Sequence, residues 1–266
     1  MRFPQAAPVP LSFSTRPLPI FSLRPPSPPE PSSGSPAIEP GDTSGASAER
    51  RLLLRVFERC HHHLLEACKY SSVPPEFLAA LTANESGADP KAVRFEPAVY
   101  RHLRAVADGR NPTYGGIGPK DLAAEVQEML HPKAGEFHSR YLTQSSRAIH
   151  RQALSVLEDE ALREFASSWG FTQIMGYHMV GRRGTVCDLL DPAFHFCVAL
   201  QLLSEFAHDF QLDLTREFEE LFRCWNTGHP QGRTSHPAYV ENALRRMNLY
   251  RALAPQSTAS FLPQSS

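Results

Sequence analysis

Glu85 lies in Phe77-Leu78-Ala79-Ala80-Leu81-Thr82-Ala83-Asn84-Glu85-Ser86-Gly87, four residues after Leu81. Helical spacing therefore places it on the apolar face formed by Phe77, Leu78 and Leu81. A carboxylate that extends a buried face loses hydration. At the end of a helix it also meets the negative pole of the dipole, and both effects disfavour the charged form and raise the pKa. A raised carboxyl is what a general acid requires near neutral pH. Gly87 reads as the helix stop, which turns Glu85 toward a cleft instead of a closed core. Taken by itself, the segment has a competing reading as an ordinary solvated glutamate near a helix terminus.

Two later segments mix glycine, amide and aromatic residues in a way that core packing does not explain. One is Ala166-Ser167-Ser168-Trp169-Gly170-Phe171-Thr172-Gln173-Ile174-Met175-Gly176-Tyr177. The other is Cys224-Trp225-Asn226-Thr227-Gly228, followed by Tyr239-Val240-Glu241-Asn242-Ala243-Leu244. Aromatic faces stack on sugar rings, and amides bond hydroxyl and N-acetyl groups, so the mixture suits a carbohydrate groove. Cys60, His61, His62, His63 and Cys68 suggest a metal, but three consecutive histidines on a helix point in three directions. Only Cys60 and His63 share a face, and the spacing fits none of the usual zinc patterns. We expect no metal and no cofactor.

The elements that must carry these residues are mostly helices. Helical spacing covers Ala48 to Tyr70, Glu76 to about Ser86, Lys120 to Leu130, Ser146 to Ser167, Pro192 to Phe210, Thr215 to Trp225 and Pro237 to Leu253. Pro75 suits the first position of the second helix. The wide apolar stripe of Phe196, Ala199, Leu202, Leu203, Phe206 and Phe210 marks Pro192 to Phe210 as the central helix of the core. From Gly87 to Gly118 the pattern loosens into turn clusters, and small strands are expected there. Glu158, Asp159, Glu160 and Glu164 read as a solvated helix face.

Of 24 prolines in 266 residues, 12 fall in the first 40, so residues 1–48 read as a disordered Pro/Ser-rich arm. Residues 49–254 then form one domain and 255–266 a disordered tail. A balance of 27 Lys+Arg against 28 Asp+Glu removes the electrostatic case for nucleic acid. No apolar run is long enough to span a bilayer, and prolines interrupt every candidate export signal. Five cysteines at irregular spacings imply no disulfide framework. A monomer is expected.

The order Glu-Ser, Gly-x-x-Gln-Ile-Met, aromatic-Asn-x-Gly and Tyr-Val-x-x-Ala-Leu resembles the lysozyme-like superfamily of soluble lytic transglycosylases and goose-type lysozymes. Within it, the chain looks most like the N-acetylmuramidase family of phage endolysins and bacterial genomes. The segments that carry the likeness are Glu85-Ser86-Gly87, Arg94-Phe95-Glu96-Pro97-Ala98-Val99-Tyr100-Arg101-His102-Leu103 and Ser168 to Gly176, within a region from about Val73 to Leu253. Phe171-Thr172 and Trp225 depart from the commoner residues but keep apolar or aromatic character.

The resemblance implies a mainly α, α+β lysozyme-like domain: helices around a central buried helix, with a small irregular or β region. It implies cleavage of the β-1,4 bond between N-acetylmuramic acid and N-acetylglucosamine, with Glu85 as general acid. Gln173 and Asn226 would face the glycan strand, Trp225 and Tyr177 would serve as sugar platforms, and Ser168 would orient Glu85 or bond substrate. Trp169 either packs under a loop or lines the groove.

Glu96 is counted with the substrate-binding residues; it is either a second catalytic carboxylate or a structural brace. A hydrolase normally uses two carboxylates, whereas a lytic transglycosylase needs one, because the substrate's own hydroxyl closes an anhydro ring. The third class is a non-catalytic wall-binding protein, favoured by the near-neutral charge. Against it, Arg223, Arg233, Arg245, Arg246 and Arg251 make the C-terminal end locally basic. The implied setting is a bacterial or phage protein acting on the cell wall. Because the likeness begins near Val73, the arm and the helix after it are expected to serve delivery more than chemistry.

Overall fold

A computed structural model describes the backbone of residues 43–130 and 151–258 and the side chains of residues 47–125 and 158–253. The protein is mainly α. Eight helices stand among the described residues: α1 (Thr43–Cys68), α2 (Pro75–Glu85), α3 (Pro97–Ala107), α4 (Pro119–Leu130), α5 (Arg151–Phe165), α6 (Pro192–Phe210), α7 (Phe218–Thr227) and α8 (Tyr239–Thr258). Three short strands, β1 (Val93–Phe95), β2 (Ser167–Trp169) and β3 (Ile174–Met175), form one antiparallel sheet in that order. Two 3-10 turns, Gly176–Met179 and Val186–Leu190, lead from β3 to α6.

The helix enclosed on all sides is α2, not α6. Phe77, Leu78, Ala79, Ala80, Leu81, Thr82 and Ala83 are all buried, and α2 packs on α1 and α8 while Phe77 stacks on Phe222 of α7 at 4.2 Å. Apolar and small residues all round let neighbours close on every face. In α6 the apolar stripe is one-sided: Phe196, Val198, Ala199, Leu202 and Leu203 are buried, whereas Phe206 and Phe210 are only half-buried.

The loosened region after Gly87 contains strand β1 and an isolated bridge between Tyr114 and Ile117, but also helix α3. Pro97 opens α3, and Val99, Leu103 and Val106 bury one face of it. Outside it, Tyr100 donates a hydrogen bond to Asp159, and Arg163 lies over the rings of Phe95 and Tyr100 at 5.1 and 4.9 Å. The Phe-Glu-x-x-x-Tyr segment thus clamps α3 to α5.

Helix α1 begins at Thr43, inside the segment assigned to the arm, and α8 runs to Thr258, inside the assigned tail. The rest of the arm (1–42), the last eight positions of the tail and residues 146–150 of the helix expected from Ser146 to Ser167 lie outside the described residues. Leu53, Val56, Cys60 and Leu64 of α1 are at most 1 % exposed. This helix is a wall of the core, so its expected separation from the catalytic region does not hold for folding. No helix of the described residues is long and apolar enough to cross a membrane.

Candidate active site

The C-terminal end of α2 is where the motif-bearing segments meet. The amide of Ser86 closes the last turn on the Thr82 carbonyl at 3.2 Å, and Gly87 (φ +63°) and Ala88 (φ +71°) then reverse the chain. Arg59 of α1 holds that reversal by donating to the Ala88 carbonyl at 2.8 Å. Glu85 is half-buried at the rim. Its Oε1 accepts a 2.5 Å hydrogen bond from the Tyr239 hydroxyl at the start of α8. The backbone carbonyl of Tyr239 also accepts from Asn84 Nδ2 at 3.1 Å. One residue of α8 therefore fastens two successive residues of α2.

The turn between β2 and β3 forms the adjoining wall. Ser86 Oγ donates to the Phe171 carbonyl at 2.7 Å, and Trp225 Nε1 of α7 donates to the Thr172 carbonyl at 3.0 Å. Gly170 (φ +67°) must be glycine, because a Cβ there would lie 2.5 Å from the Leu189 carbonyl oxygen and 2.7 Å from His195 Nδ1. Gly176 is similarly constrained by the backbone of α5, with a Cβ falling 2.3 Å from the Glu164 carbonyl oxygen. These close approaches explain the two outer glycines of the Gly170 to Gly176 motif.

The side chains of Ser168 and Gln173 are turned into the protein. Ser168 is fully buried and donates to Gln173 Oε1 at 2.8 Å. Gln173 Nε2 donates to the carbonyls of Gly170 at 2.9 Å and Ala92 at 3.1 Å. The left-handed backbone of Gln173 (φ +55°) directs this amide back under the turn. Both residues brace the wall from inside, and the expectations of substrate contact by either, and of a Ser168 bond to Glu85, are corrected accordingly. Trp169 is likewise a core residue, 1 % exposed, with Nε1 donating to the Glu164 carbonyl at 3.0 Å.

Trp225 is half-buried and Asn226 buried on α7 beside the turn. Tyr177 is buried edge-on to Tyr114 at 5.5 Å, so its ring is packed in place of forming an open platform. Glu96 caps α3 by position and pairs with Arg94 Nε at 2.7 Å, as a brace would. Burial, with a contribution from the Glu96 charge, pushes the Tyr114 phenol up to about 12.

Residues outside the expected set complete the arrangement. His195, read only as part of a core helix, is fully buried. Its Nδ1 donates to the Leu189 carbonyl at 2.9 Å and its Nε2 accepts the Thr172 amide at 2.9 Å. Burial lowers its pKa to about 4, so the neutral tautomer holds the turn. Glu164, expected on a solvated face, is 7 % exposed. Burial, followed by the nearby Glu160 charge, raises its carboxyl to about 8. The expected basic end is largely neutralised: Arg223 pairs with Glu219, Arg245 and Arg246 with Glu49, and Arg251 with Glu76. No group of three or more His, Cys, Asp or Glu side chains among the described residues is placed to hold a metal, and burial pushes the Cys60 thiol up to about 12.

No family model, curated protein or solved structure matches this chain.

Proposed function

We propose that the protein cleaves peptidoglycan glycan strands between N-acetylmuramic acid and N-acetylglucosamine, with Glu85 as the general acid. The observation that carries this reading is the convergence of four segments separated along the chain. The Glu85 helix end, the Phe171-Thr172 turn, Trp225 and Tyr239 are joined by direct hydrogen bonds. The Tyr239 hydroxyl fixes the carboxyl by one oxygen, and Trp225 supplies a half-buried aromatic bonded to the same turn that Ser86 holds. A positioned acid and an aromatic surface joined through one turn are equipment that glycosidic cleavage uses.

Hydrolysis is the first reading, by the likeness to muramidases. The Arg94 ion pair of Glu96 favours the single-carboxylate route, lytic transglycosylation, as the second. Mass spectrometry of fragments from purified peptidoglycan separates them: reducing ends indicate hydrolysis and anhydro ends indicate transglycosylation. Retention on insoluble peptidoglycan with no fragment release supports the third class, a wall-binding protein.

A further inference from the structure

Helix α1 reaches the site by a chain of side chains. Glu49 accepts two hydrogen bonds from Arg246 of α8, Nε to Oε2 at 3.0 Å and Nη2 to Oε1 at 2.8 Å. The remaining guanidinium nitrogen, Nη1, donates to Asn84 Oδ1. The other end of the Asn84 amide donates to the Tyr239 carbonyl, and the Tyr239 hydroxyl donates to Glu85. Arg246 lies seven residues after Tyr239, two turns along the same helix face. The side chains of Arg246 and Glu49 are only 14 % and 21 % exposed.

We propose that Glu49, Arg246 and Asn84 are positioning residues that set Tyr239 against Glu85, so that the first helix belongs to the reactive site. The inference rests on the reading of Glu85 as the acid. Three features give the chain its rigidity. A guanidinium in two-point contact with a carboxylate has a fixed plane, so its third nitrogen has a fixed aim. Asn84 is held at both ends of its amide, which fixes its side-chain orientation and the register between α2 and α8. Glu49 keeps its charge, because the Arg246 hydrogen bonds hold its carboxyl below the usual carboxylate value. A lysine at 246 would offer a point charge with no fork, and a glutamine at 49 would lose the ionic grip. Either change frees Asn84 and lets the Tyr239 hydroxyl drift from Glu85, and misplacement of a catalytic group by about 1 Å costs up to about a hundredfold in rate.

The same helix offers an internal control. Arg251 pairs with Glu76 at 2.7 Å across α8 and α2, but at the far end of α2 and with 57 % exposure. A general loosening of α8 would follow from breaking either pair. Loss of positioning follows only from the Glu49 pair.

The experiment compares the unsubstituted full chain with Glu49→Gln, Arg246→Lys and Arg251→Gln on soluble glycan strands prepared from peptidoglycan, and records the ring resonances of Tyr239 and the side-chain amide of Asn84 by NMR. The expected result is a kcat about tenfold lower in the first two variants with KM within about twofold, shifted Tyr239 and Asn84 resonances, and no change in Arg251→Gln. Unchanged kcat and unchanged resonances in Glu49→Gln overturn the relay, as does an equal loss in Arg251→Gln. If the unsubstituted chain releases nothing, the glycosidase reading fails. The relay is then decided by the two resonances alone, a shift supporting it and no shift overturning it.

Discussion

At the turn of residues 170–173 the backbone itself is gripped. Glycine allows the approach of Leu189 and His195, a neutral buried imidazole receives the Thr172 amide, and Gln173 spends both ends of its amide on neighbouring groups. At the junction of α2 and α8 the grip is by side chains, charged and partly exposed, drawn from three helices. The first region is a wall whose shape is set by sterics and buried hydrogen bonds. The second holds Glu85 by contacts that a single isosteric substitution can release without opening the core. On the proposed reading, a rigid surface near an adjustable acid is a sensible division, because a substrate wall must exclude misfits while a general acid must exchange protons.

Substitutions should separate the two regions by kind and by size. Gly170→Ala forces a Cβ into backbone and imidazole at a left-handed position, and should cost about 3 kcal/mol or more of stability, visible as a large fall in melting temperature. A small change would mean that the turn is not gripped as described.

The next effect is on pH dependence. His195 is held below its ordinary value, to about 4, so its contribution is complete above the unfolded value near 6.5 and is lost as pH falls through about 4. Glu164 is raised to about 8, so its contribution is complete below about 4.5 and is lost as pH rises through about 8. Stability should therefore decline on both sides of an acidic-to-neutral maximum. Glu164→Gln should flatten the alkaline side and leave the acid side alone, which thermal melts at several pH values would check.

Tyr239→Phe removes one hydroxyl at the half-buried rim. It should cost about 1 kcal/mol of stability and lower kcat more than it raises KM. Ser86→Ala, which loses the link to the Phe171 carbonyl and the longer ones to the Thr82 carbonyl and the Asp89 amide, should cost about 1 kcal/mol in denaturant titrations with the smallest effect on rate.

How much of this could be read beforehand varied with the range of the interaction. Helices α2 and α6 were legible because Pro75 and Pro192 sit at their first positions and apolar spacing follows. Helix α3 carries the same mark in Pro97, but its neighbouring turn residues masked its stripe. Strands β2 and β3, three and two residues long, are too short for any period to show. Glu85 was legible from its place after Leu81, and Tyr239 stood within a recognised segment without being given a role. Ser168 and Gln173 were picked out as unusual, yet their inward direction depends on a left-handed turn that residue types do not reveal. His195 looked like core and is core, but its contacts reach 23 residues back to Thr172. Glu49 and Arg246 lie 197 residues apart, and Asn84 and Arg246 162 apart, so no local pattern could join them. The charges around Glu164 suggest solvent, whereas α5 turns its carboxyl inward.

The central claim is that Glu85 is the group that breaks the glycosidic bond. Its most direct test is the release of soluble sugars from purified peptidoglycan by the unsubstituted protein and by Glu85→Gln, each first shown to be folded by its melting curve. The account predicts release by the former and a loss of about a hundredfold or more in the latter. Equal release by both folded proteins would contradict it.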